Sequence, residues 1–126
     1  MTDTDLFFAD IQTTARALRS GRLSAQALVE RVLERIEHHE PRLNAFITVT
    51  ADVARDAAKA ADAAFAAGQD LGPLQGIPVA VKDLFDMVGV RNTFGTLLYE
   101  DYVSAVDSTV VGKLRAAGAV IVGKTN

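Results

Sequence analysis

An α/β fold, with N-terminal helices followed by the first strands and helices of a mixed sheet that helices cover, is what this sequence predicts. Three observations carry the reading. After Ser24, the residues Ala25, Leu28, Val29, Val32, Leu33 and Ile36 fall at offsets 0, 3, 4, 7, 8 and 11, one face of a helix. In "GIPVAVKD", Gly76 to Asp83, Ile77, Val79 and Val81 alternate with Pro78, Ala80 and Lys82, which is the period of a strand. "AVIVG", Ala119 to Gly123, is apolar throughout, as in a strand buried on both faces with parallel pairing.

The elements follow in order. Phe7, Ile11, Thr14, Ala15 and Leu18 mark one face of a helix over 5–20, and Gly21 sits where a helix end favours glycine. Ser24 caps the next helix, which Pro41 is expected to stop. "NAFITVT", Asn44 to Thr50, is rich in β-branched residues and reads as a short strand. "ADVARDAAKAADAAFAAG", Ala51 to Gly68, is an alanine-rich helix with Thr50 as its expected cap. Its inner face is read as Val53, Ala57, Ala60, Ala61 and Ala64, small residues that allow close packing. "GQDLGPLQG", Gly68 to Gly76, is a loop. The stretch from Gly89 to Ser108 reads as mostly irregular, and Asp107 or Ser108 caps a helix ending near Ala117. Helix, Gly118 and apolar strand then make a crossover unit.

The chain has 126 residues, enough for one hydrophobic core. Half of them are hydrophobic (49%) and 23% charged, a globular composition. A net charge of −3 argues against a nucleic-acid module or a membrane-surface module, which would be basic. Without cysteine there is no disulfide framework and no thiolate metal site. The acidic start "MTDTDLFFADIQ" lacks the pattern of a secretory signal, and no apolar run approaches the roughly 20 residues of a membrane span. The expected location is the cytoplasm.

Two lysines stand at the ends of apolar runs. "GAVIVGKT", Gly118 to Thr125, spells the P-loop pattern. In a P-loop, however, the four middle residues are a loop that wraps phosphate, between a strand before and a helix after. Here they are the strand itself and a helix precedes them, so nucleotide binding is set aside. Lys124 is read as a strand-end lysine in a loop. Lys82 shares a strand face with the small residues Pro78 and Ala80, which leaves room for another segment to approach its amine. Asp83 follows directly but points to the other side of a continuing strand. On the residues alone, Lys82 is either a snorkelling strand-end lysine or a catalytic one. Ser20, Ser24 and Ser108 sit at helix ends or caps, Ser104 lies in a polar loop, and the adjacent His38 and His39 suit a helix C-terminus better than a metal.

"GPLQGIPVAVKDLFD", followed by "DSTVVGKLRAAGAVIVGKTN", resembles the amidase signature family of amide hydrolases; "SAQALVERVLERIEHHEPRLNAFITVT" is similar to that family's N-terminal helices and first strand. The resemblance implies an incomplete amidase signature fold: an N-terminal fragment of a single amidase domain, with a helical front over 1–68 and the start of the α/β core over 69–126. It also implies a Ser–Ser–Lys triad in which Lys82 is the base end of the relay. That amine must be neutral to accept a proton, and burial disfavours the charged form, so the resemblance leads one to expect a dry Lys82. Neither metal nor organic cofactor is implied. The partner is a small-molecule amide in the complete enzyme, with no nucleic acid bound directly, no membrane, and a complementing chain or homodimer as further options. The family's serines lie in a Gly/Ser-rich segment after the "GKTN" block, and none of the serines here stands in such a setting. The chain alone is therefore expected to be inactive and marginally folded, with apolar edges exposed. "NTFGT", Asn92 to Thr96, resembles a loop near the family's active site. Two alternatives remain. One is a fragment of the glutamine amidase subunit of an aspartyl/glutamyl-tRNA amidotransferase, where "KDN" would be expected in place of Lys82-Asp83-Leu84. The other is a non-catalytic binding or structural fragment.

Overall fold

The computed structural model describes residues 3–126. The first helical stretch is two helices, α1 (Asp3–Phe8) and α2 (Ile11–Arg19). The single helix expected there is broken at Asp10, which adopts an extended backbone and accepts the Thr13 N–H at 2.6 Å, a cap that starts a new helix. Thr14, Ala15 and Leu18 are buried as read, while Ile11 is exposed and Leu6 joins the core.

Helix α3 (Ala25–Leu43) is capped by Ser24, whose hydroxyl accepts the Ala27 N–H at 3.1 Å. A second cap comes from a distant helix: the Asp62 carboxylate accepts the N–H groups of Ala25 at 2.7 Å and Gln26 at 3.1 Å. A charged acceptor there also suits the positive end of the helix dipole. Pro41 does not stop α3, as the sequence suggested; it sits inside the last turn. Without an N–H it makes no bond back to the carbonyl four residues earlier. The helix closes three residues later, at Asn44 in the left-handed region (φ 47°), whose N–H reaches Glu40 O at 2.9 Å.

After β1 (Phe46–Val49) comes α4 (Ala51–Ala66). Thr50 makes no side-chain cap; its hydroxyl donates instead to Ile121 O at 3.1 Å. The buried face is Ala54, Ala58, Ala61 and Ala64, whereas Val53 and Ala60 are exposed. Ala61 and Ala64 are buried as read and Ala57 packs against the core, while at the N-terminal end the face runs through Ala54 and Ala58 rather than Val53; with alanine on both faces, little hydropathic contrast sets the phase.

Strands β2 (Pro78–Lys82) and β3 (Val120–Thr125) complete a three-stranded sheet of order β1-β3-β2. β3 lies in the middle, antiparallel to β1 and parallel to β2. Its central place explains its unbroken apolar run. Ile77, Val120 and Val122 pack against α2, α3 and α4, while Val81, Met87, Val90, Val111 and Ile121 form a second core on the other side with α5 (Thr109–Ala116), capped by Ser108. Apart from a short 3₁₀ turn at Leu97–Tyr99 and an isolated antiparallel bridge between Arg91 and Val103, the stretch between Gly89 and Ser108 is irregular, as read. The crossover through α5 needs glycine at 118: φ is +85°, and a Cβ there would lie 2.6 Å from Gln75 Cα.

Among the described residues no helix is long and apolar enough to cross a membrane. Apolar side chains nevertheless stand open between 84 and 110, with Leu97 83% and Leu98 89% exposed beside Leu84, Val88, Val103 and Val106.

Removing the second cap, Asp62→Ala, is expected to lower stability to urea by about 1–2 kcal/mol, while Asp56→Ala on the exposed side of α4 stays within about 0.5 kcal/mol. Acid will also weaken the fold. Asp10 is held below its ordinary 3.8, chiefly by the Thr13 N–H, as is Asp70 by hydrogen bonds from Arg19 and Gly72; Arg55 holds Glu30 below 4.5. A carboxyl depressed in the folded state contributes stability that is whole above its ordinary value and lost as pH falls through the depressed one. The urea midpoint should therefore be level down to about pH 5 and fall below it.

Candidate functional site

The parallel pairing brings the C-terminal ends of β2 and β3 side by side, with Val81 opposite Lys124 and Lys82 opposite Thr125. Carboxyl ends of strands are where open α/β sheets bind ligands. The register slips between Val79 and Ala80, leaving Val122 as an extra residue on β3. Ile77 and Val79 consequently pack toward the helices while Val81 joins the opposite core. The single branched face read over Ile77, Val79 and Val81 is thus divided by a bulge, a device that re-aims side chains near strand ends.

The two lysines exchange the places the sequence assigned them. Lys82 ends β2 on the side of Ala80, and both are exposed. The expected dry environment is not met: Lys82 is exposed at the end of β2, an edge strand of the described sheet. Among the described residues the Lys82 side chain makes no hydrogen bond or ion pair. Lys124, expected in a loop, lies within β3 and is 0% exposed. The P-loop spelling is strand through Thr125, preceded by α5.

Lys124 is dry because it is paired. Its Nζ lies 3.2 Å from Asp83 Oδ1, with the two side chains 0% and 1% exposed, and it also donates to Asn92 Oδ1. The other oxygen of Asp83 accepts the Thr93 N–H at 3.0 Å and the Thr93 hydroxyl at 2.5 Å. The Asp83 N–H donates to Thr125 O at 2.9 Å. Three segments meet here: the end of β2, the end of β3 and the loop at 92–96. That loop turns tightly. The Thr93 hydroxyl accepts the Gly95 N–H at 3.1 Å, and Phe94 sits in the left-handed region at φ 54°, strain of about 1–3 kcal/mol for a bulky residue. The Phe94 ring rests against Tyr99 and Tyr102 at centroid distances of 5.3 and 6.1 Å.

The serines keep structural roles. Ser24 and Ser108 cap helices, Ser20 donates to Ala17 O, and buried Ser104 donates to Val106 O at 2.8 Å. His38 and His39 pack edge to face at 4.8 Å near the end of α3. Among the described residues no cluster of three or more His, Cys, Asp or Glu is placed to hold a metal ion. A groove of about 720 Å³ runs between α3 and the start of α4, lined by Leu33, Ile36, Glu37 and Arg55 among others, and neither the end of β2 nor that of β3 borders it. Sequence reasoning placed Lys124 in a loop, and it marked Asn92 to Thr96 by resemblance alone, with no role for Asn92 or Thr93. The signal for Lys124 was the one applied to Lys82, a charge closing an apolar run.

Comparison with known proteins gives the family. The Amidase family pattern matches residues 27–126, and the chain belongs to that family. The glutamyl-tRNA(Gln) amidotransferase A-subunit of Synechococcus sp. (strain CC9605) is 47% identical over 116 residues, 92% of this chain and 24% of that protein. Its counterpart in Anaeromyxobacter dehalogenans (strain 2CP-C), with the same description, is 53% identical over 104 residues, 82% of this chain and 21% of that protein. The crystal structure of the native peptide amidase from Stenotrophomonas maltophilia superposes with a TM-score of 0.89 at 32% identity, over 94% of this chain and 25% of that one. The chain thus spans about a quarter of the length of the curated relatives it matches.

The buried pair makes a stability test. Asp83→Ala leaves an unpaired ammonium in the core and should cost about 3–5 kcal/mol in urea unfolding, enough to unfold much of the chain. The double change Asp83→Leu with Lys124→Met removes both charges and should recover most of that loss.

Proposed function

We propose that these residues are the N-terminal part of an amidase that hydrolyses a carboxamide by a Ser–Ser–Lys mechanism, with Lys82 as the base. The helical front over 1–68 and the start of the α/β core over 69–126 belong, on this reading, to one amidase domain. The observation that carries it is the place of Lys82 in a chain of this family: an unpaired amine at the carboxyl end of a strand, on an open face of small residues. The open face would be closed by the remainder of the domain, which would supply the dryness the amine needs as a base.

The chemistry runs from that amine outward. Lys82 takes a proton from a bridging serine, which takes one from the nucleophilic serine. The alkoxide attacks the amide carbonyl, and backbone N–H groups stabilise the oxyanion. The leaving amine or ammonia carries the returned proton, and water clears the acyl-enzyme. Both serines would come from a Gly/Ser-rich segment, a setting that none of the four serines here occupies. A cytoplasmic location suits a sequence without cysteine.

A second reading is favoured by the relatives: identity of 47% and 53% to glutamyl-tRNA(Gln) amidotransferase polypeptides supports a glutamine amidase that frees ammonia. Leu84 after Lys82-Asp83 supports the general amidase instead. The exposed apolar side chains between 84 and 110, Leu97 and Leu98 foremost, suit a complementing chain on either reading.

The test is complementation. The purified chain should release no ammonia from any carboxamide. Combined with a polypeptide carrying the rest of the domain it should do so, and Lys82→Ala should lower kcat by about 10²–10⁴-fold. Glutamine as the one substrate turned over would select the amidotransferase reading. Full activity of Lys82→Ala would contradict both.

A further inference from the structure

We infer that Thr93, with the buried Asp83–Lys124 pair and Asn92, is a positioning clamp for Lys82; the catalytic consequence rests on the amidase reading above, the clamp itself does not. Among the described residues Lys82 has no bond of its own to aim it. Its direction is set by the main chain on either side. On the N-terminal side that is the β2–β3 ladder. On the C-terminal side it is Asp83, held at both ends: the N–H by Thr125 O, the carboxylate by Thr93 and Lys124. The chain turns immediately afterwards, with the Phe85 N–H bonded to Lys82 O at 3.1 Å. The peptide that follows Lys82 is thereby fixed by groups from three segments, none of which bonds the Lys82 side chain.

Thr93 is where the clamp meets the strained loop. Its hydroxyl donates to Asp83 and accepts the Gly95 N–H, so one oxygen ties the strand end to the turn that holds Phe94 at positive φ. A buried ion pair alone supplies charge balance. The hydroxyl supplies direction, because its donor and acceptor geometry fixes the loop relative to the carboxylate. Asn92 completes the arrangement by accepting from Lys124 through its side chain while its N–H reaches Tyr102 O at 2.9 Å, anchoring the loop at its other end. These residues act through Lys82's backbone and are positioning residues.

The experiment uses amide hydrogen exchange by NMR on the 126-residue chain with Thr93→Val, which keeps the shape and loses the hydroxyl, and Thr93→Ser, which keeps the hydroxyl. The clamp predicts that Thr93→Val speeds exchange of the Asp83 amide about tenfold or more, while amides of Val32 to Ile36 in α3 stay within about twofold. Thr93→Ser should hold the Asp83 amide near the wild-type rate. An unchanged Asp83 amide in Thr93→Val, equal acceleration in α3, or a serine variant as open as the valine one would each overturn the clamp. In the complemented protein, Thr93→Val should lower kcat about tenfold with KM within about twofold, and Thr93→Ser should restore it; no loss of kcat overturns the positioning role. A complemented wild-type protein that hydrolyses no amide removes the amidase reading, and the exchange result still decides the clamp.

Discussion

The arrangement depends on one ion pair, Lys124 with Asp83, taken almost wholly out of water. Desolvating both charges is costly, and their attraction offsets that cost only when the remaining hydrogen-bonding capacity is also used. Here Asn92 and Thr93 use much of it. What the pair adds is a unique arrangement. A hydrophobic pair could fill the same volume, but it would not dictate which loop closes over the strand ends. The charge pair demands a loop that brings a hydroxyl, an N–H and an amide oxygen to the same spot, and the 92–96 turn does so with one residue at positive φ.

Close approach around β3 makes the pairing geometry reachable. α4 presents alanines to the core, and Thr50, between β1 and α4, bonds β3 twice, its N–H to Val122 O and its hydroxyl to Ile121 O. Gly123 meets Thr48 O across the β1 pairing, where a Cβ would lie at 2.5 Å. The bulge at Val122 then shifts the register, so that the last residues of β3 face the end of β2 with Lys124 opposite Val81. Small residues upstream thus determine where a charge arrives downstream, linking sequence through packing to the site.

Much of this was legible from local pattern. The α3 stripe, the Ser24 and Ser108 caps, β2 as a strand and the apolar β3 all rest on periods and caps that neighbouring residues fix among themselves. Pro41 misled because a proline in a last turn forfeits a bond without ending the helix. The phase of α4 was read correctly at Ala61 and Ala64 and missed at Ala54 and Ala58, because a run of alanines has little hydropathic contrast. The lysines were misplaced for a different reason: β3 is central and β2 an edge, a fact of strand order that no stretch of sequence states. Asp83 was correctly separated from Lys82, but its partner lies 41 positions away, set by the register. The family resemblance, carried by several blocks in order, reached further than any local pattern.

The central claim is that this fold dries and pairs Lys124 while leaving Lys82 open, and amine acylation followed by peptide mass spectrometry measures that directly. Under native conditions Lys82 should be modified at a rate comparable to the exposed Lys59 and Lys113, and Lys124 should resist until denaturant is added. Modification of Lys124 in the native chain as fast as Lys59, or protection of Lys82, would contradict the account.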